Sequence, residues 1–127
     1  MITITVPFDP MRLSLNQRLH WRARAKLSKL AHQAARVAWI CAGSPVIDGP
    51  VDVSLIIRRA RPIDPINALS GWKSCEDGLF NRRRRGYGVV EDDSAEFVRY
   101  APVVFETGKQ WKGREEIVVR VTPRATA

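Results

Sequence analysis

With 127 residues the chain has the length of one domain, so a modest single core is expected, and a dimer would bury more. Its formal charge is +8 and its pI about 10.3, a balance that favours a polyanionic partner. No apolar run is long enough to span a bilayer, and the N-terminus lacks the basic start and apolar stretch of a signal peptide, so cytoplasmic residence is the expectation.

Ile2, Ile4 and Val6 alternate with Thr3 and Thr5, which predicts a half-buried strand ended by Pro7. Asn16 is placed to cap a helix. From Gln17 to Cys41 the period is helical: Ala23, Leu27, Leu30, Ala34, Val37 and Cys41 share one face, predicted to meet the core. Arg22, Lys26, Lys29, Gln33 and Arg36 share another, and Gly43 and Pro45 end the helix. A solvated face usually mixes signs. This one is almost purely cationic, and no acidic residue occurs between Asp9 and Asp48.

Gly49-Pro50 opens the next strand, where Val51, Val53, Leu55 and Ile57 line one side before Arg58-Arg59. Prolines at 62 and 65 keep the chain extended around Asp64. A short helix is expected from Asn67 to Leu79, with Ala68, Trp72, Cys75 and Leu79 on one side, although Gly71 is unfavourable there. A basic loop follows from Phe80 to Gly88. Two more strands are expected, near 95–105 and 115–121, joined by a hairpin loop from Thr107 to Gly113. The tail after Val121 reads as frayed. The fold class is α/β (α+β): a small mixed sheet with one long and one short helix packed on it. Cys41 and Cys75 are far apart, without metal-ligand spacing, and read as small buried residues in a reducing compartment.

The chemistry concentrates between Arg58 and Asp93. Acids are scarce there, yet they stand at the ends of a basic stretch. Magnesium takes one or two direct carboxylates and completes its shell with water and phosphate oxygens; Asp64 and Asp93 are the candidates, with Asp92 adjacent. A bound cation polarises phosphate and lowers the pKa of an attacking water. Lys73 is placed to stabilise developing charge. Arg82, Arg83, Arg84 and Arg85 repel one another unless an anion neutralises them, and phosphate is the simple account. Tyr87 beside them is either a packing residue or a stacking one. For any single acid a surface charge or helix cap is the plainer reading. His20 and His32, twelve apart without an acidic neighbour, read as neutral surface or capping histidines. Trp39, Trp72 and Trp111 have core or rim explanations. There is no nucleophile motif and no glycine-rich phosphate loop.

At these residues the chain resembles the RusA family of phage and prophage Holliday junction resolvases. The resemblance rests on Leu15-Asn16 with His20-Trp21 ahead of a basic helix, the arginines from Arg58 to Arg61, Asp64-Pro65-Ile66-Asn67, Lys73, Asp77-Gly78-Leu79 and Asp92-Asp93. It covers about residues 2 to 121. It implies an endodeoxyribonuclease that uses Mg2+ or Mn2+ and acts as a homodimer. Its substrate is four-way DNA junctions, cut by paired nicks, with no membrane partner. The resemblance also implies a bacterial host cell and a phage- or prophage-borne gene. Asp64, Asp93 and Lys73 become catalytic, Asp64, Asp93 and Asp92 metal-binding, and Asn67 and Glu91 supporting. Asn16, His20, Arg22, Lys26, Lys29, Arg58, Arg59, Arg61 and the run from Arg82 to Arg85 contact DNA.

Two departures stand out. Ile66 occupies the position of a family metal-binding Asp and cannot ligate a metal, with Glu91, Asp92 or Glu96 as candidates to compensate. The segment from Leu79 to Asp92 is longer than usual and contains the arginine run. The alternative is therefore a degraded relative that holds branched DNA or a partner without cutting. A third reading is an RNA-binding or regulatory protein with incidental acids.

Overall fold

The computed structural model describes residues 1–14 and 18–124; Asn16, the expected helix cap, lies outside them. The elements run β1 (Ile2–Val6), a 3₁₀ turn (Pro10–Leu13), α1 (Trp21–Cys41), β2 (Val51–Arg59), α2 (Pro65–Leu79) and α3 (Arg82–Arg85). They end with β3 (Val98–Tyr100), β4 (Val104–Thr107) and β5 (Glu116–Pro123). The result is a mixed α+β fold, a five-stranded mixed sheet with two main helices packed on it.

β2 is the central strand. β5 lies antiparallel along one side of it and pairs in turn with β1, so Val53 faces Val121 and Ile4 faces Val119. On the other side β3 and β4 run parallel to β2, aligning Val53 with Tyr100 and Ile56 with Val104. Two residues of β2 therefore oppose three of the partner, Ala101, Pro102 and Val103. Pro102 has no N–H for the ladder, and the single strand expected over 95–105 is divided there. The predicted hairpin between the last two strands is also corrected. β4 and β5 flank β2 on opposite sides, so the segment with Trp111 crosses over the end of β2. β5 runs on past Val121: Thr122 and Pro123 pair with Asp52 and Val51, and the Arg124 side chain reaches Asp52 at 3.4 Å, while the rest of the expected frayed tail lies outside the described residues.

α1 begins at Trp21. His20 caps it, its Nδ1 accepting the Arg22 N–H at 3.2 Å, in keeping with the capping role read for it. Its buried row is Ala31, Ala35 and Trp39, flanked by half-buried Leu27, Ala34 and Ala38. Leu30, Val37 and Cys41 are exposed, which corrects the predicted face. The reason lies in α2, whose Gly78 sits against the His32 carbonyl and the Ala35 methyl. Only the alanine row lets the helices approach so closely.

α2 starts two residues earlier than expected. The Asp64 carboxylate accepts the Ile66 N–H at 2.8 Å and Pro65 opens the first turn. Ala68, Trp72, Cys75 and Leu79 form the predicted buried side. Gly71 is required: a Cβ there would stand 1.9 Å from the Pro10 carbonyl oxygen. The helix tolerates this poor helix former because the 3₁₀ turn packs directly on its backbone. Burial pushes the Cys75 thiol up to about 12, which leaves it inert.

Candidate functional site

α1 and α2 run in the same direction side by side, with Ser28 and Ser74 hydroxyls 2.5 Å apart and His32 Nδ1 3.5 Å from Asp77. Between them opens a cleft of about 780 Å³ whose lining includes Lys29, His32, Arg36, Lys73, Glu76 and Asp93.

Its floor is Glu76, only 2 % exposed. The Tyr100 hydroxyl donates to Glu76 Oε2. The Trp72 indole donates to the Tyr100 oxygen at 2.7 Å, so the single phenolic proton is directed at the carboxylate. Lys73 Nζ stands 3.9 Å from the other oxygen, Oε1, with its side chain 72 % exposed. Burial raises the Glu76 pKa, opposed by Tyr100 and Lys73 and reinforced by the charge and hydrogen bond of Asp93. Burial and the neighbouring Glu76 also push the Tyr100 phenol up.

Asp93 is exposed at the cleft and is held from two sides. Its N–H donates to Asp92 Oδ1 at 3.0 Å, and Asn81 Nδ2 approaches its Oδ2 at 3.5 Å while bonding Asp77 Oδ1 at 2.8 Å. Asp77 is occupied, since its other oxygen pairs with Arg85 and faces His32. Glu76 and Asp93 are thus the two carboxylates that can share a hard cation, with Lys73 beside them. That donor set fits Mg2+ or Mn2+ bound through one or two protein oxygens. Among the described residues no three His, Cys, Asp or Glu side chains converge into a complete metal cage.

Lys73 and Asp93 are brought together as expected, but Asp64 does not join them. It caps α2 twelve residues before Glu76, about 18 Å along the axis at 1.5 Å per residue, and its carboxylate engages the Ile66 N–H. Asn67, half-buried in the same first turn, accepts from the Ser70 hydroxyl at its backbone carbonyl at 3.1 Å and lies outside the cleft lining. Asp92 positions the Asp93 backbone. Glu91 accepts the Gly49 N–H and pairs with Arg82 and Arg83, outside the cleft lining.

Most of the arginines expected on phosphate are neutralised internally. Arg58 pairs with Glu106 and Glu116 and lies over Trp111, and Arg59 pairs with Asp9. The segment from Arg82 to Arg85 is a short helix instead of a loop. Arg82 reaches Asp48 at 2.7 Å and the carbonyls of Ile47 and Val89, Arg83 stacks on Phe97 beside Glu91, and Arg85 holds Asp77. Acids on both sides of the run, Asp77 and Glu91 nearby and Asp48 far from it in sequence, therefore supply the anions that it demands. Arg61 and Arg84 remain exposed, as do Arg22, Lys26, Lys29 and Arg36 on α1.

Sequence reasoning missed Glu76, Tyr100 and the role of His32. Glu76 carried a signal: it stands inside the apolar row of Trp72, Cys75 and Leu79, three residues after Lys73. His32 is half-buried, its Nε2 2.6 Å from the Tyr87 hydroxyl. Tyr87 packs between Arg36 and Trp39, the packing reading of that residue.

Comparison with family models, curated proteins and solved structures returned no match for this chain. Among the described residues no helix is long and apolar enough to cross a membrane.

Proposed function

We propose that this chain is a divalent-metal-dependent DNA endonuclease acting on branched DNA, in the manner of RusA-like junction resolvases, with its reaction centred on Glu76 and Asp93. The observation that carries this reading is the buried Glu76 facing Asp93 and Lys73 in an open, cation-flanked cleft. An ionised carboxylate at this burial is costly unless it is hydrogen-bonded and shared by cations; here Tyr100 donates to it and Lys73 stands close, with room for a metal beside them.

A bound Mg2+ or Mn2+ would polarise the scissile phosphate and lower the pKa of the attacking water. The chain does the rest. Tyr100 and Trp72 fix the orientation of Glu76. Asp92 and Asn81 fix that of Asp93. Lys73 offers its ammonium to the charge growing on the phosphate oxygens. Lys29 and Arg36, on the opposite wall, hold flanking phosphates. A homodimer would present one such cleft to each of two opposed strands, matching the two-fold symmetry of a four-way junction.

A second reading is a relative that holds branched DNA without cutting it. It is favoured by the engagement of Asp77, another carboxylate lining the cleft, with Arg85 and His32. The deciding experiment incubates the purified chain with a synthetic four-way junction and a matched linear duplex, each with magnesium, manganese or EDTA. Symmetric, metal-dependent nicking of the junction is expected. Selective junction binding without nicking in either metal establishes the second reading. Equal treatment of both substrates leaves only a basic nucleic-acid binder.

A further inference from the structure

Trp21 opens α1 with its ring in solvent, 68 % exposed. Packing explains the other tryptophans. Trp72 is in the core, Trp39 donates its indole N–H to the Pro45 carbonyl at 2.8 Å, and Trp111 lies under Arg58. The Trp21 ring is bordered instead by the His20 ring, 5.6 Å away and tilted by 30°, and by the Arg22 guanidinium, 5.1 Å from its centroid.

The same end of the molecule carries a second exposed apolar group. α1 and α2 run parallel, and both starts are seated on the Pro10–Leu13 turn: Arg24 donates to the Leu13 and Ser14 carbonyls, and Gly71 meets Pro10. The first turn of α2 there presents Ile66, 71 % exposed. Arg22 lies against the ring, and Arg18 and Lys26 are exposed cations close to it in sequence. The nearest acid on α2, Asp64, is tied to the Ile66 N–H.

A merely solvated face has no use for a bare indole, and an apolar protein surface has no use for its cationic border. An unpaired nucleobase uses both, since its π-face stacks on the ring and its phosphates meet the cations. We infer that Trp21 is a stacking platform for an unpaired nucleobase, with Arg18, Arg22 and Lys26 taking the flanking phosphates. This assignment rests on the nucleic-acid part of the proposed function and not on cleavage.

The test is run in EDTA on the full chain. Tryptophan fluorescence and the anisotropy of labelled DNA are followed with an oligothymidylate and with an abasic oligonucleotide of the same length and charge. The oligothymidylate is expected to quench the fluorescence and to bind about tenfold more tightly than the abasic strand, the usual gain for one stacked base. Trp21→Ala is expected to remove the quench and the preference while leaving abasic affinity unchanged, and Trp21→Phe to retain most of the preference. Equal binding of the two strands by wild type overturns the platform and leaves the nuclease reading standing. Binding of neither strand overturns both. A fluorescence blue shift on vesicles of anionic lipid, with no response to DNA, replaces the platform with a membrane-surface anchor.

Discussion

The Tyr100 hydroxyl donates to the Glu76 carboxylate at the floor of the cleft, because the Trp72 indole already occupies the phenolic oxygen as a donor. Tyr100→Phe removes both bonds at once. It leaves the indole N–H without its acceptor and Glu76 without its uncharged donor. The expected loss is about 2 kcal/mol of stability in urea unfolding, the usual cost of buried unsatisfied groups. An unchanged midpoint would show that water replaces the hydroxyl.

Catalysis should divide the acids by place in the fold and not by place in the sequence motif. Glu76→Gln and Asp93→Asn are expected to bring metal-dependent cleavage down to background, and Lys73→Ala to slow it by about a hundredfold. Asp64→Ala should cost about 1 kcal/mol as a lost helix cap and leave the cleavage rate unchanged. Ile66→Asp, which supplies the carboxylate of the RusA-like pattern at an exposed position remote from Asp93, should give no gain. A rise in rate on Ile66→Asp would move the metal to the start of α2.

Burial and the Asp93 carboxylate hold the Glu76 pKa above its ordinary value of 4.5. Above that pH the folded chain binds more protons than the unfolded one, so unfolding free energy falls as pH rises through the folded value. Glu76→Gln cannot titrate and should lack this slope. Urea unfolding in EDTA across about pH 4 to 8 compares the two; parallel curves would refute the shift. Protons compete with metal at the same oxygens, so magnesium affinity should rise over the same window.

Gly71→Ala places a methyl against the Pro10 carbonyl, where 1.9 Å separates them before relaxation. Despite alanine's better helix propensity, the expected change is a loss of about 3 kcal/mol, the upper range for overpacking. Thermal unfolding reads it directly. A stabilised variant would mean that the 3₁₀ turn detaches from α2 at little cost.

Arg82 and Arg84, neighbours in sequence, should differ in kind. Arg82→Ala breaks contacts with Asp48, Glu91 and two carbonyls, and should destabilise the fold by about 1–3 kcal/mol. Arg84 is exposed, so Arg84→Ala should leave stability alone and reduce the salt dependence of DNA binding by about one phosphate contact. Equal effects on stability would contradict the pairing.

Local periodicity made much of the fold legible. The alternation at Ile2, Ile4 and Val6, the apolar side of β2 and the row Ala68, Trp72, Cys75 and Leu79 all follow from backbone geometry, which any window of sequence displays. The cationic face of α1 was equally plain, and Lys73 and Asp93 could be named from residue type. Tertiary structure alone decided which groups meet. Asp48, Glu91 and Asp77 neutralise arginines that in sequence stand as an unbroken cationic run. Gly78 selects the alanine row of α1 over its leucine and valine. β4 and β5 take opposite sides of β2. Asp64 and Glu76 belong to one helix, yet its axial rise separates them, whereas Glu76 and Asp93 converge from different segments. Pairings of this kind depend on close packing and desolvation between distant parts of the chain, and no local pattern encodes them.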